Sequence, residues 1–203
     1  LITRSGMSLT HSMVLKQHTP LSSSWKLNTT SRMSNKLQSI NYIIGIDPDV
    51  DKNGYAIIDM ATRTVGVTTV TLPELIDLIE QTQAEAYSEG KRLTVYVEAG
   101  WLCQSNWHLG FRDSKQRAAA KGKSVGRNQQ RGMDICEMLT YRGISVVQVP
   151  PLRKMWHGQD YKITHDELVE IVGPVTHTNQ EGRDAALLAW VHAGLPVRLP
   201  RRH

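Results

Sequence analysis

The chain has 203 residues, 40% of them hydrophobic and 21% charged, enough for one domain with a substantial core and too few for two large ones. No apolar run approaches the ~20 residues that span a bilayer, so no membrane partner is expected, and Cys103 and Cys136 form neither a paired metal spacing nor a disulfide framework, which fits a reducing, intracellular setting. The formal charge of +5 is unevenly spread: residues 1–40 hold no Asp or Glu but carry Arg4, Lys16, Lys26, Arg32 and Lys36, which equals the whole excess.

Those first forty residues are rich in Ser and Thr and have no sustained apolar period, so a disordered basic leader is expected. An acid-free leader bearing Arg and Ser also suits an organelle transit peptide, and a chain opening on Leu1 suits an upstream reading frame with Met33 as the native start. The ordered domain is expected over 41–195, followed by a basic tail, 196–203, with Arg198, Arg201 and Arg202.

Ile43-Ile44-Gly45-Ile46-Asp47 reads as an apolar strand ending in a carboxylate; Pro48 to Gly54 is turn-forming, and Tyr55 to Ile58 returns as a second strand. Asp49 and Asp51 read as turn formers. Thr64 to Val70 alternates as a third strand. Thr71-Leu72-Pro73-Glu74 is a capping box with Pro in the first turn, and Leu75, Leu78 and Ile79 give the helix an apolar face that Gly90 closes. Leu93 to Glu98 is a fourth strand, again ending in an acid. The segment from Ala99 to about Ser124 has no clean period and is expected to be a long loop, functional or disordered. A second helix is predicted from Val125 to Arg142, stopped by Gly143, and then a buried strand from Ile144 to Val149. Thr164 to Glu167 is another capping box, opening a short helix that Gly173-Pro174 ends. The last helix starts near Asn179 and runs to Gly194.

Three consecutive strands pair as an antiparallel meander, and strands reached afterwards through helices must run parallel to the first. The expected class is therefore α/β: a mixed five-stranded sheet, its first three strands antiparallel, with helices on its faces. In such a sheet the first and fourth strands can be neighbours, bringing Asp47 beside Glu98. Glu181 and Asp184, three apart, share one face of the last helix, and Ala185 and Ala186 let that helix lie close. Four carboxylates then converge, a donor set suited to a hard cation such as Mg²⁺ or Mn²⁺. Two such ions ~3.5–4 Å apart serve phosphodiester hydrolysis. Blander roles are open for two of the acids. Thr178 to Glu181 is itself a capping-box pattern, and Asp184 near a helix start is favourable in any case. Asp49 to Gly54 also matches the start of a calcium loop, but its twelfth position is Met60 and strands flank it.

Gly45-Ile46-Asp47-Pro48, then Asn53-Gly54-Tyr55, Val97-Glu98, Asn128-Gln129-Gln130-Arg131-Gly132 and Glu181-Gly182-Arg183-Asp184-Ala185 together resemble the RuvC-type Holliday-junction resolvases, members of the RNase H-like nucleases. The resemblance spans about residues 42–193. It implies an RNase H-like fold with helices on both faces and a Mg²⁺-dependent endonuclease, usually a homodimer, that cuts four-way DNA. It also implies Asp47, Glu98, Glu181 and Asp184 as the catalytic, metal-holding acids, with two ions. Asp49 departs from the family, which commonly has Gly there. A cytoplasmic protein of bacterial or phage origin is expected, with organelle targeting by the leader as the alternative.

On the same resemblance the loop after Glu98 enters the junction. Independently, Trp101, Trp107 and Phe111 are rings able to stack on bases, interleaved with Arg112 and Lys115 able to neutralise phosphates, and packing of one or two of the rings onto the core is the alternative. Arg127 and Arg131 extend this basic run, and Arg153 and Lys154 follow the fifth strand near the expected site. The reading is a structure-selective DNA endonuclease. An RNase H-like nuclease acting on RNA or an RNA/DNA hybrid, and a non-catalytic nucleic-acid-binding module of the same fold, are the alternatives.

Overall fold

The computed structural model describes residues 41–103, 114–176 and 178–198, all within one compact unit, Leu37–His203. Five strands, β1 (Asn41–Asp47), β2 (Asn53–Asp59), β3 (Thr64–Val70), β4 (Arg92–Glu98) and β5 (Val146–Val149), form one sheet in the order β3-β2-β1-β4-β5. β1, β2 and β3 pair antiparallel, whereas β4 runs parallel to both β1 and β5. This is the mixed five-stranded sheet expected, its first three strands antiparallel, and its central strand is the one that ends in Asp47.

Alternation along β1 assigns its residues to two cores. Ile44 and Ile46, with Val95 and Val97 of β4, pack under α1 (Leu72–Ser88) and α2 (Lys115–Tyr141), against Leu75, Ile79, Ile135 and Leu139. Ile43, with Ala56 and Ile58 of β2, packs on the other face under α3 (His165–Val172) and α4 (Gln180–His192), against Leu168, Ala185 and Ala189. Helices therefore cover both faces. Burying each such Leu or Ile contributes roughly 1.5–3 kcal/mol. Asp47 and Glu98 follow the parity of Ile43 and Tyr96, so both carboxylates are directed to the α4 side. The parallel register Ile46↔Val97, extended by one residue, sets them beside each other.

Two expectations are corrected, and an alternative reading of Glu181 is closed. α2 begins at Lys115, ten residues before the predicted Val125, so the long loop is shorter by that much. Ser114 caps it by accepting from Arg117 N at 3.2 Å, and Ala118-Ala119-Ala120 favours helix, but the early turns are solvated and basic and show no apolar period. β5 is the sheet edge instead of a buried strand, with Val147 and Gln148 exposed. The capping box at the last helix is absent: Asn179 is the cap and accepts from Gly182 N at 3.0 Å, which leaves Glu181 one position early for that role. The other two boxes form, at Thr71/Glu74 and Thr164/Glu167. Asp49 is the turn former expected, accepting from Asp51 N at 3.0 Å.

Candidate active site

α4 reaches the acids because β1 and β2 each place a glycine beneath it. A Cβ built on Gly45 would collide with the backbone oxygen of Ala185 and lie 2.7 Å from Ala189 N, and one on Gly54 would collide with the backbone of Glu181. Two glycines on adjacent strands thus admit the helix backbone onto the sheet, and its small residues Ala185 and Ala189 complete the fit. Asp184, in the second turn of α4, is thereby carried over the ends of β1 and β4. Arg183 fixes the start of that helix, donating from Nε to Ile163 O at 3.0 Å, from Nη1 to Thr178 O at 2.5 Å and from Nη2 to Gln180 Oε1 at 2.9 Å.

Asp47, Glu98 and Asp184 line one cavity of about 90 Å³, together with Arg153, Lys154 and Lys162. Enclosed small-molecule sites are several times larger, ~300–1,000 Å³, so this one suits ions and water, with any larger substrate lying across its mouth. The carboxylates repel one another. Burial, then Glu98 and Asp184, hold the Asp47 carboxyl well above the ordinary range. Glu98 is pushed up to about 7 by burial first and by Asp184 second, against the opposing pull of Lys154 and Lys162. Burial also raises Asp184, opposed by Lys162 and by a 2.8 Å hydrogen bond from Gln180 Nε2 to Oδ1. Carboxyls under this repulsion give up their protons more readily when a cation is placed among them.

Glu181 is half-buried in the first turn of α4 and does not line the cavity; its charge is the weakest of those acting on Asp47. Among the described residues no three His, Cys, Asp or Glu side chains already close on one point as metal ligands. The donor chemistry of Asp47, Glu98 and Asp184 nevertheless fits a hard divalent cation.

Arg153 and Lys154 are exposed at the cavity, as the sequence suggests. Trp101, in a short 3-10 turn after β4, packs on Gly132 of α2, where an added Cβ would lie 2.5 Å from its ring, and donates to Gln148 Oε1 at 3.2 Å. Arg131 Nη2 donates to Val50 O at 3.1 Å, and Asn128 Nδ2 donates to Asp49 Oδ2 at 3.1 Å, so this part of α2 braces the β1–β2 turn beside Asp47. Arg127 is exposed next to Arg131, and Lys115 is exposed in the first turn of α2. Trp107, Phe111 and Arg112 lie outside the described residues. Sequence reasoning missed Lys162, which belongs to no periodic element, and gave no role to Arg183, although it stands inside the motif that carries the resemblance.

No protein-family model matches the chain, and no curated protein sequence does. Among solved structures the chain is similar to T. thermophilus RuvC in complex with a Holliday-junction substrate, at 15% identity over 75% of this chain and 92% of that one, with a TM-score of 0.36.

Proposed function

We propose that the chain is a divalent-cation-dependent endonuclease acting on branched, four-way DNA as a homodimer. The observation that carries the reading is the meeting of Asp47, Glu98 and Asp184, from two strand ends and one helix, in a single cavity rimmed by Arg153 and Lys154. The ordered set of acid-bearing motifs, which resembles that of the RuvC-type resolvases, supports it.

In this reading Asp47, Glu98 and Asp184 hold the cation, with Glu181 at the edge. Mg²⁺ or Mn²⁺ held there, as two ions in the full site, would supply Lewis acidity for phosphodiester hydrolysis. Asp47 and Glu98, on rigid strand ends, fix the position at which a phosphate is met, while the Asn128 and Arg131 contacts keep the β1–β2 turn from moving it. Lys154 and Arg153 at the mouth draw in the backbone of the nucleic acid without reading its sequence. Lys115 and Arg127, exposed on α2, offer further phosphate contacts. A two-fold enzyme suits a symmetric four-way junction.

The test is cleavage, with Mg²⁺, of a synthetic four-way junction beside linear duplex, a flap and an RNA/DNA hybrid. Junction cutting that Asp47→Asn abolishes while junction binding persists is the expected result. Preferential cutting of the hybrid moves the substrate to RNA, and binding without Asp47-dependent cutting of any substrate rejects the enzyme.

A further inference from the structure

The cavity that holds the acids also holds a group of opposite sign. Lys162 Nζ stands 3.5 Å from Asp184 Oδ2, on a side chain only one-third exposed. Lys154, the other lysine of the cavity, is exposed.

The backbone that presents Lys162 is built for the purpose. Asp160 and Tyr161 both take left-handed conformations, φ 54° and 58°, which cost energy in residues other than glycine and persist only where the surroundings impose them. The surroundings here are specific. Gly158 N donates to Lys162 O at 2.9 Å, Lys162 N to Gln159 O at 3.1 Å, and Trp156 N to Tyr161 O at 3.1 Å. A Cβ on Gly158 would collide with Lys162 O, so that closure requires glycine. Beneath the turn Trp156 is buried, and behind it His157 Nδ1 meets the buried Glu167 at 2.5 Å. The base of the lysine is held, while its four-carbon stem carries the rotatable bonds through which the ammonium can change place.

We propose that Lys162 is an internal counter-ion, which neutralises the acid cavity in the absence of metal and must leave Asp184 before a divalent cation binds there. The proposal rests on the cation-binding reading above. An ammonium and a divalent ion compete for the same carboxylate lone pairs, and each repels the other across a few ångströms. Lys162 acts on all three cavity acids, lowering Asp47, Glu98 and Asp184 alike, whereas the charge of Lys154 is felt at Glu98 and Asp184. Entry of the cation then sets the Lys162 ammonium loose at the cavity mouth, where a phosphate oxygen is the partner of matching charge. Metal and nucleic-acid backbone thereby favour each other's binding through one side chain.

The experiment is a Mn²⁺ titration of the metal-stripped full chain without DNA, following free Mn²⁺ by electron paramagnetic resonance, for wild type, Lys162→Gln, Lys162→Arg and Asp47→Asn. Lys162→Gln is expected to bind Mn²⁺ about tenfold more tightly than wild type, Lys162→Arg close to wild type, and Asp47→Asn much more weakly than either. Melting without metal supplies the second measurement: Lys162→Gln melts below wild type and recovers when Mn²⁺ is added. Wild-type or weaker affinity in Lys162→Gln, with binding still lost in Asp47→Asn, overturns the counter-ion role and leaves the cation site standing. Binding that Asp47→Asn does not alter overturns both.

Discussion

The backbone of Glu181 rests on Gly54: the space a Cβ would occupy on β2 is filled by the carbonyl of the helix that carries the acids. One strand over, Gly45 admits Ala185 in the same way. Assembly of the candidate site is thus set by close backbone approach as much as by the acids themselves. Once α4 can lie that near the sheet, Asp184 has no other place to go than above the ends of β1 and β4.

Gly54→Ala and Gly45→Ala test this directly. Each adds one methyl where only backbone can yield, so each is expected to destabilise the fold by about 1–3 kcal/mol or more and to lift α4 from the sheet. Because Asp184 rides on α4, cleavage is expected to fall by a larger factor than the loss of folded protein accounts for. Urea denaturation alongside single-turnover cleavage separates the two, and wild-type values in both measurements would mean that the helix is not seated as described.

Asp47→Asn has opposite effects on activity and on stability. The carboxylate is held among like charges, so its neutral isostere relieves repulsion and is expected to raise the melting temperature of the metal-free protein. The same substitution removes a carboxylate proposed to hold the cation and is expected to cut Mg²⁺-dependent cleavage by about 10²–10³ or more. Calorimetry without metal and cleavage with it are the two readings. A lower melting temperature would show that Asp47 is held by favourable partners instead of strained against Glu98 and Asp184.

Much of this was legible in the residues. β1 and β4 each end an apolar run on an acid, and an acid there needs a partner, so their pairing follows from the connectivity that makes β4 parallel to β1. The proximity of α4 is legible in Ala185, which the structure pairs with Ala189 instead of Ala186 over Gly45, although the matching role of Gly45 and Gly54 is not, since nothing local distinguishes a strand glycine under a helix from one in a bend. Lys162 was out of reach for a different reason. It is delivered by two left-handed residues in a row, Asp160, of a type that tolerates that conformation, and Tyr161, of a type that does not, in a stretch with no period. The first ten residues of α2 were missed because a solvated basic helix carries no apolar stripe. Trp101 shows the ambiguity of a ring in such a region: its contact with Gly132 joins two segments about thirty residues apart that local pattern does not connect.

The raised acids give the metal-free protein a characteristic pH dependence. Glu98 ionises near 7 in the fold against an ordinary value of 4.5, and Asp47 and Asp184 are displaced in the same direction. Between those limits the native state holds protons that the unfolded chain has released, so stability falls as pH rises through that window. Thermal melting from pH 5 to pH 8 is expected to decline, and saturating Mg²⁺ is expected to flatten the decline by occupying the acids. A metal-free melting temperature that rises over this range would contradict the sign.

Glu167 is displaced the other way. Burial alone would raise its carboxyl, but hydrogen bonds from Thr164 N at 2.9 Å, from the His157 side chain and from Thr164 Oγ1 at 2.9 Å outweigh it and bring it down to about 2. Its contribution to stability is present above the ordinary carboxylate value and is lost as pH falls from there through about 2. Glu167→Gln leaves those donors without a charged acceptor inside the fold and is expected to cost about 1–3 kcal/mol. His157→Ala, whose side chain is 71% exposed, is expected to cost under about 1 kcal/mol. Because Glu167 ties down the segment that presents Lys162, Glu167→Gln is also expected to speed amide exchange across 156–164 while leaving β1 and β4 protected. Equal losses from the two substitutions, or unchanged exchange in that segment, would show that the loop is held by the burial of Trp156 instead of by this carboxylate.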